Sequence, residues 1–204
     1  MYLKKLVSLT AVVAVAVFAG GAQAAAGSTL ENLQAAYNGE SNANAKYLAF
    51  AEKADREGYG QAASLFRAAA RAEQVHFERH AEVIKALGAV PKADIKKADV
   101  RSTRENLQDA LNGETYEYTK MYPEFLAKAE KDKNAGAKDA FEDAKAAEEV
   151  HAKLYSKVLA DLNAWKGAKK DFYVCPRCGN VVEALAWKLC PICKTSAKKF
   201  MTVS

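Results

Sequence analysis

Between residues 28 and 164, apolar side chains recur with a period near 3.6 residues over long stretches, interrupted by only two prolines, Pro91 and Pro123. That period predicts helices with one buried stripe each. Ser28 with Glu31, and Ser102 with Glu105, have the spacing of capping boxes, so helices are predicted to start at both places. The first runs to about Glu57, where Gly58-Tyr59-Gly60 breaks it. The second ends at Leu87, with Gly88 and Pro91 behind it. The third extends from Ser102 to near Lys133, and Pro123 is expected to kink it or mark a local irregularity. Asn134-Ala135-Gly136 then turns the chain into a fourth helix ending near Trp165.

The pattern repeats. Glu31-Asn32-Leu33-Gln34 returns as Glu105-Asn106-Leu107-Gln108, and Asn38-Gly39-Glu40 as Asn112-Gly113-Glu114, both at an offset of 74. Ala72-Glu73-Gln74-Val75-His76 returns as Ala147-Glu148-Glu149-Val150-His151, at an offset of 75. Residues 31–87 and 105–160 are therefore two copies of a helix pair, too few and too long for a solenoid. A long link, 88–101, between antiparallel pairs predicts an all-α, ferritin-like four-helix bundle with one crossover.

Composition agrees: 50% of the 204 residues are hydrophobic, with alanine dominant, and only 9% are aromatic. The N-terminus reads as a secretory signal over residues 1–24. Lys4 and Lys5 precede an apolar run, Leu6 to Phe18, and Ala22-Gln23-Ala24 supplies small residues for cleavage. The run is short for a bilayer span of ~20 residues, so cleavage and a periplasmic product are expected over an uncleaved anchor. The net charge of +5 comes from 30 basic and 25 acidic residues; without Lys4 and Lys5 it is 28 against 25, or +3. No basic run interleaves with aromatics, so no nucleic-acid partner is expected. Lys-rich stretches such as Lys128 to Lys138 read as solvated faces and turns.

The repeated Glu-x-x-His carries the chemistry. Residues three apart share a helix face, so Glu73 with His76, and Glu148 with His151, can each serve one metal region. Glu40 and Glu114 from the other two helices complete the ligand pattern of a di-iron carboxylate bundle. The repeat also sorts competitors. His80 faces Tyr155 in the second copy, Glu149 faces Gln74, and Glu78 and Glu82 face Lys153 and Lys157, so none of these is chosen. One such motif alone is weak, because both residue types are common on exposed faces; two in register with two further glutamates are specific.

Residues 165–204 hold Cys175-Pro176-Arg177-Cys178 and Cys190-Pro191-Ile192-Cys193. Paired C-x-x-C units read as one tetrahedral four-thiolate site. A bound metal would replace the core that so short a module lacks, with Phe172, Tyr173, Trp187 and Phe200 expected to cover it. The first unit, continuing into Gly179, resembles a rubredoxin knuckle, which implies one iron. A structural zinc has the same spacing, and disulfides are open to an exported chain. The second knuckle carries Lys194 where glycine is usual, which is expected to strain the turn or shift the metal's potential.

Taken together, Gly39-Glu40 with Tyr47, Gly113-Glu114-x-x-Glu117, Met121-Tyr122-Pro123 and the two Glu-x-x-His pairs resemble the rubrerythrin family over about residues 28–204. The resemblance implies a ferritin-like bundle over 28–164 and a rubredoxin-like domain over 165–204. It implies an extra ligand, Glu117, whose counterpart in the first copy is Ala43, beside an iron that moves between Glu and His with oxidation state. It also implies functional tyrosines at Tyr47 and Tyr122, seven residues from Glu40 and eight from Glu114. The implied activity is reduction of hydrogen peroxide in oxidative-stress defence. Two irons in the bundle act, and one four-cysteine iron relays electrons from an unidentified donor. A homodimer or higher homo-oligomer, paired head to tail, is expected on the same basis. The alternatives are a ferritin-type ferroxidase, against which the cysteine tail argues, and a zinc-stabilised scaffold, against which the carboxylate cluster argues.

Overall fold

The computed structural model describes residues 27–204; the predicted signal segment, including Lys4, Lys5 and the run Leu6 to Phe18, lies outside them. Among the described residues no helix is long and apolar enough to cross a membrane. The bundle consists of α1 (Thr29–Arg56), α2 (Gly60–Ala86), α3 (Thr103–Tyr116), α4 (Tyr122–Lys131) and α5 (Ala135–Ala160). A single π-helical turn, Glu117–Met121, joins α3 to α4, so the two make one long interrupted helix. Both predicted capping boxes form, at Ser28 with Glu31 and at Ser102 with Glu105.

The π turn explains the change of repeat offset. Glu40 and Glu114 are 74 apart, whereas Tyr47 and Tyr122 are 75 apart. One residue has been inserted between Glu114 and Tyr122, and the helix absorbs it by widening one turn, where Tyr122 N–H donates to the Glu117 carbonyl five residues back. Pro123 follows in the first turn of α4, the helix position that best tolerates a missing N–H. The predicted irregularity is thus real, and it is an insertion more than a proline kink. The fourth helix ends at Ala160, earlier than the sequence suggested. Asp161 leaves the helical conformation and caps a separate 3₁₀ turn, Leu162–Trp165, from its side chain.

The two helix pairs are tied end to end by matching contacts. Thr29 donates to Asp132 at one end, Oγ1 to Oδ2 at 2.7 Å, and Thr103 donates to Glu57 at the other, at 2.6 Å. The link 88–101 runs as an extended strap beside α1. Lys92, Asp94 and Lys96 donate their N–H groups to Gln34, Asn38 and Asn42. Two extended residues advance ~6.6 Å and four helical residues ~6 Å, so one strap amide in two meets one α1 amide side chain per turn.

The tail forms a small antiparallel sheet in the order β2-β1-β3, with β1 Phe172–Val174, β2 Val181–Val182 and β3 Met201–Val203. Its inner face joins the bundle core. Phe172, Val174 and Val181 are buried with Leu65, Ala69 and Trp165, and the Phe172 ring stacks on Trp165. Phe172 therefore seals the domain junction instead of covering a metal. Phe200 packs against the cysteines, and Trp187 lies against Phe200.

Candidate metal centre

Each bundle helix contributes polar side chains to its buried stripe. Glu40 comes from α1, Glu73 and His76 from α2, Glu114 from α3, and Glu148 and His151 from α5, all at most 1% exposed. Ligand atoms of Glu40, Glu73, His76 and Glu148 lie within 4.8 Å of one another, and so do those of Glu73, Glu114, Glu148 and His151. Glu73 and Glu148 belong to both groups, which is the geometry of two neighbouring metal positions sharing two carboxylates.

The unmet polar atoms test whether metal fits. Glu40 Oε2, Glu73 Oε1, Glu114 Oε2, both Glu148 oxygens and His151 Nδ1 are buried without a hydrogen-bond partner. His151 Nδ1 lies only 2.6 Å from Glu148 Oε2, yet the pair is not aligned as a hydrogen bond. The lone pairs converge on common points, as ligand atoms do, and buried carboxylates left in that state would be costly. Electrostatics agree. Burial, then the charge of Glu117, holds the Glu40 carboxyl well above the usual range; burial, then Glu73 and Glu148, does the same to Glu114. Burial opposes ionisation of Glu148 too, but the imidazoles of His76 and His151 outweigh it and hold Glu148 low. Two divalent cations would supply the missing positive charge.

The histidines are aimed from behind. His76 Nε2 sits 3.0 Å from the Cys178 carbonyl and His151 Nε2 3.1 Å from the Gly179 carbonyl. A carbonyl only accepts, so Nε2 of each ring carries the proton and Nδ1 is left facing the carboxylates. Both acceptors belong to the first cysteine knuckle of the same chain. Gly179 has φ +72°, and a Cβ there would overlap the His76 imidazole, so glycine is required twice over. Arg79 and Arg177 clamp this knuckle to the bundle through Asp139 and Asp143.

The two tyrosines cross the pseudo-twofold. Tyr47 donates to Glu114 Oε1 at 2.7 Å, and Tyr122 donates to Glu40 Oε1. Each serves the glutamate of the other copy, whereas spacing along one helix had paired Tyr47 with Glu40. His80, set aside in the sequence as a ligand, stands behind Tyr122 with Nε2 at 3.1 Å from its hydroxyl. Because the tyrosine proton is directed to Glu40, His80 Nε2–H donates and its Nδ1 stays bare. Burial lowers the His80 pKa to about 3, so the ring is neutral. Tyr155 takes the matching place behind Tyr47, its ring 5.8 Å away. The repeat had aligned His80 with Tyr155, the one sequence signal that ties the two members of this supporting layer; both prove buried.

Glu117 sits in the π turn, outside both four-residue groups, and approaches from the α1–α3 side. Burial first, then Glu148 and Glu73, holds its carboxyl well above the usual range. With Tyr47, Ala43 and Gly113 it lines a cavity of about 280 Å³, open to solvent under strap residues Lys96 to Asp99. Ala43, the counterpart of Glu117 in the first copy, lines the same cavity.

In the tail, all four thiols are free and lie within 4.8 Å of one another. Sulfur separations of 3.5 Å (Cys175–Cys193) and 3.6 Å (Cys178–Cys190) are far from the ~2.05 Å of a disulfide. They approach the ~3.8 Å between thiolates 2.3 Å from one tetrahedral ion. A hydrogen bond from Cys178 lowers the Cys175 pKa to about 5, so one thiolate stands ready for a metal. Lys194 adopts φ +63°, the same left-handed turn as Gly179, at a cost of about 1 kcal/mol relative to glycine.

The rubrerythrin family model matches residues 31–159. Nigerythrin from Nitratidesulfovibrio vulgaris is 42% identical over 170 residues, covering 83% of each chain. Rubrerythrin-2 from Clostridium acetobutylicum is 34% identical over 180 residues, covering 84% of this chain and 95% of that one. The chain belongs to the rubrerythrin family. A solved structure of nigerythrin in its fully reduced, all-ferrous state superposes with a TM-score of 0.81 at 35% identity, covering 98% of this chain and 100% of that one. The ferritin-like bundle, the carboxylate–histidine cluster and the clustered cysteines fit the family, which places the chain among di-iron oxidoreductases linked to oxidative stress.

Proposed function

We propose that this chain reduces hydrogen peroxide to water with electrons delivered through its own four-cysteine site. The observation that carries the reading is the pair of hydrogen bonds from His76 and His151 to consecutive carbonyls of the first cysteine knuckle. They give a short bonded path from a thiolate-bound metal to both histidines of the bundle. The proposed ligands are Glu40, Glu73, His76, Glu114, Glu117, Glu148 and His151 for two irons, and Cys175, Cys178, Cys190 and Cys193 for a third. The bound irons supply the electrons: each peroxide takes two, with two protons, and leaves as two waters.

The chain's residues do the rest. The cavity beside Glu117 admits a small polar substrate from the strap side. Tyr47 and Tyr122 hold Glu114 and Glu40 in place. Glu117, whose carboxyl binds a proton readily, would hold that proton beside the cavity and, once ionised, would serve as a further metal ligand. Storage-type ferroxidase chemistry needs no electron inlet, so the docked knuckle disfavours it. The path lies within one chain, so a head-to-tail homo-oligomer, proposed on the resemblance, is not needed to complete it. We also place the mature protein outside the cytoplasmic membrane, on the N-terminal segment alone.

The test is anaerobic. The iron-loaded protein is reduced with dithionite, which should bleach the visible thiolate-to-iron band, and is then mixed with peroxide. Peroxide should restore the band within a turnover. A band that stays bleached while peroxide persists would overturn the reading. Gly179→Ala should push the knuckle off His76 and slow recovery of the band by ten- to about 10²-fold, compared at saturating iron because the displaced carbonyls also orient both histidines.

A further inference from the structure

We infer that the second cysteine knuckle is the docking surface for an acidic electron-carrier protein. The inference rests on the relay proposed above and names the class of its donor. The two knuckles are equivalent in sequence but not in surroundings. The first is buried against His76 and His151, and its glycine is enforced by that contact. The second faces solvent. Cys193 is the only one of the four cysteines that is not fully buried, and Leu189, which precedes Cys190, is 53% exposed. Electrons that leave by the first knuckle therefore have the second as their accessible way in.

Charge selects the partner. Residues 188–199 form a hairpin closed by Cys190 N–H to the Thr195 carbonyl (2.7 Å) and Ala197 N–H to the Lys188 carbonyl (3.0 Å). Exposed Lys188, Lys194, Lys198 and Lys199 all stand on it, and no Asp or Glu occurs from residue 184 to 204. The nearest acid in sequence, Glu183, is already paired with Lys157 and Lys170. An apolar exposed centre with a rim of one sign is what steers an oppositely charged partner. Lys194 strengthens the case. It occupies a left-handed position that glycine fills in the first knuckle, so strain is tolerated where it places a positive charge at the exposed cysteine. Its ammonium donates back to the Pro191 carbonyl at 3.1 Å, which holds the charge at the knuckle.

The experiment measures binding, with full-length mature protein carrying redox-inert zinc in place of iron. The probe is a flavodoxin, a small acidic carrier, and the counter-probe is a c-type cytochrome with a basic surface. Flavodoxin should bind and weaken at least about tenfold between 20 and 200 mM salt. Lys194→Glu with Lys198→Glu should weaken it a further tenfold or more. Lys131→Glu with Lys133→Glu, at the end of α4 and on the turn that follows it, should leave it unchanged. Lys194→Gly should weaken binding about two- to fivefold while raising the midpoint of thermal unfolding, opposite signs that a purely structural lysine would not give. Equal losses from both charge-reversed pairs, salt-independent binding, or preference for the cytochrome would overturn the inference. So would a change of oligomeric state in the knuckle variant, which would make a second copy the occupant. Peroxide recovery of dithionite-reduced protein needs no carrier, so failure of docking and failure of the peroxidase reading are separable.

Discussion

Glu148→Gln is expected to empty both proposed metal positions of the bundle and abolish the proposed peroxide reduction, while the four-cysteine site still binds metal. Glu148 belongs to both ligand groups, and its two oxygens lie 2.7 Å from His76 Nδ1 and 2.6 Å from His151 Nδ1. It is the one carboxylate that the imidazoles hold ionised against burial. A glutamine keeps the shape but offers a single neutral oxygen, so it can neither bridge two cations nor balance them. Outer-shell changes at metal sites cost ~10- to 100-fold in affinity, and loss of a shared ligand should exceed about 100-fold. Metal analysis and the visible spectrum of the purified variant check this together. Two metals per bundle retained would remove Glu148 from the ligand set. Glu149→Gln, one residue along on the exposed face and paired with Lys153, should change nothing.

The metal-free protein should lose stability as pH rises from 5 to 8, and metal should remove most of that dependence. Glu40, Glu73, Glu114 and Glu117 are all raised from 4.5, burial being the largest cause in each. Such a group binds its proton more tightly folded than unfolded. Its stabilising contribution is complete below pH 4.5 and is lost as pH climbs through the folded value. Burial would lower His76 and His151, but Glu148 and further carboxylate contacts raise both above 6.5, so they add a loss of the same sign above that pH. Glu148, held low, has the opposite sign, but its contribution is already complete at pH 5. Metal replaces these protons with cations, so the gap between loaded and metal-free protein widens with pH. At free metal near 1,000 times the dissociation constant the gain is about 4 kcal/mol, on the order of 10 °C in midpoint for a chain of this size. Calorimetry of both forms at pH 5, 6.5 and 8 measures it. A metal-free midpoint that rises with pH would show that burial does not hold Glu40, Glu73 and Glu114 protonated.

Much of the site was legible because it is local or repeated. Glu73 with His76 and Glu148 with His151 share a face by helical period alone, and duplication separated them from His80, Glu78 and Glu149. Two C-x-x-C units at close range prescribe four converging sulfurs whatever surrounds them. The capping boxes, the crossover link and an irregularity near Pro123 are equally short-range, and each forms.

What the tertiary structure alone decided depends on register between helices. Tyr47 serves Glu114 and Tyr122 serves Glu40, because side chains two turns apart on one helix lie ~10 Å apart while facing helices bring them into contact. The inserted residue showed in the sequence as a shift from 74 to 75, but only the backbone shows it as a π turn that carries Glu117 to the cavity wall. Phe172, expected over a metal, went to the domain junction because a strand's alternation sends one face inward and the bundle already waited there. No pattern along the chain could say that the first knuckle rests on His76 and His151 and the second faces water. Sequence spacing dictates which atoms can converge around a metal; the packing of one domain on another dictates which side of it meets the rest of the world.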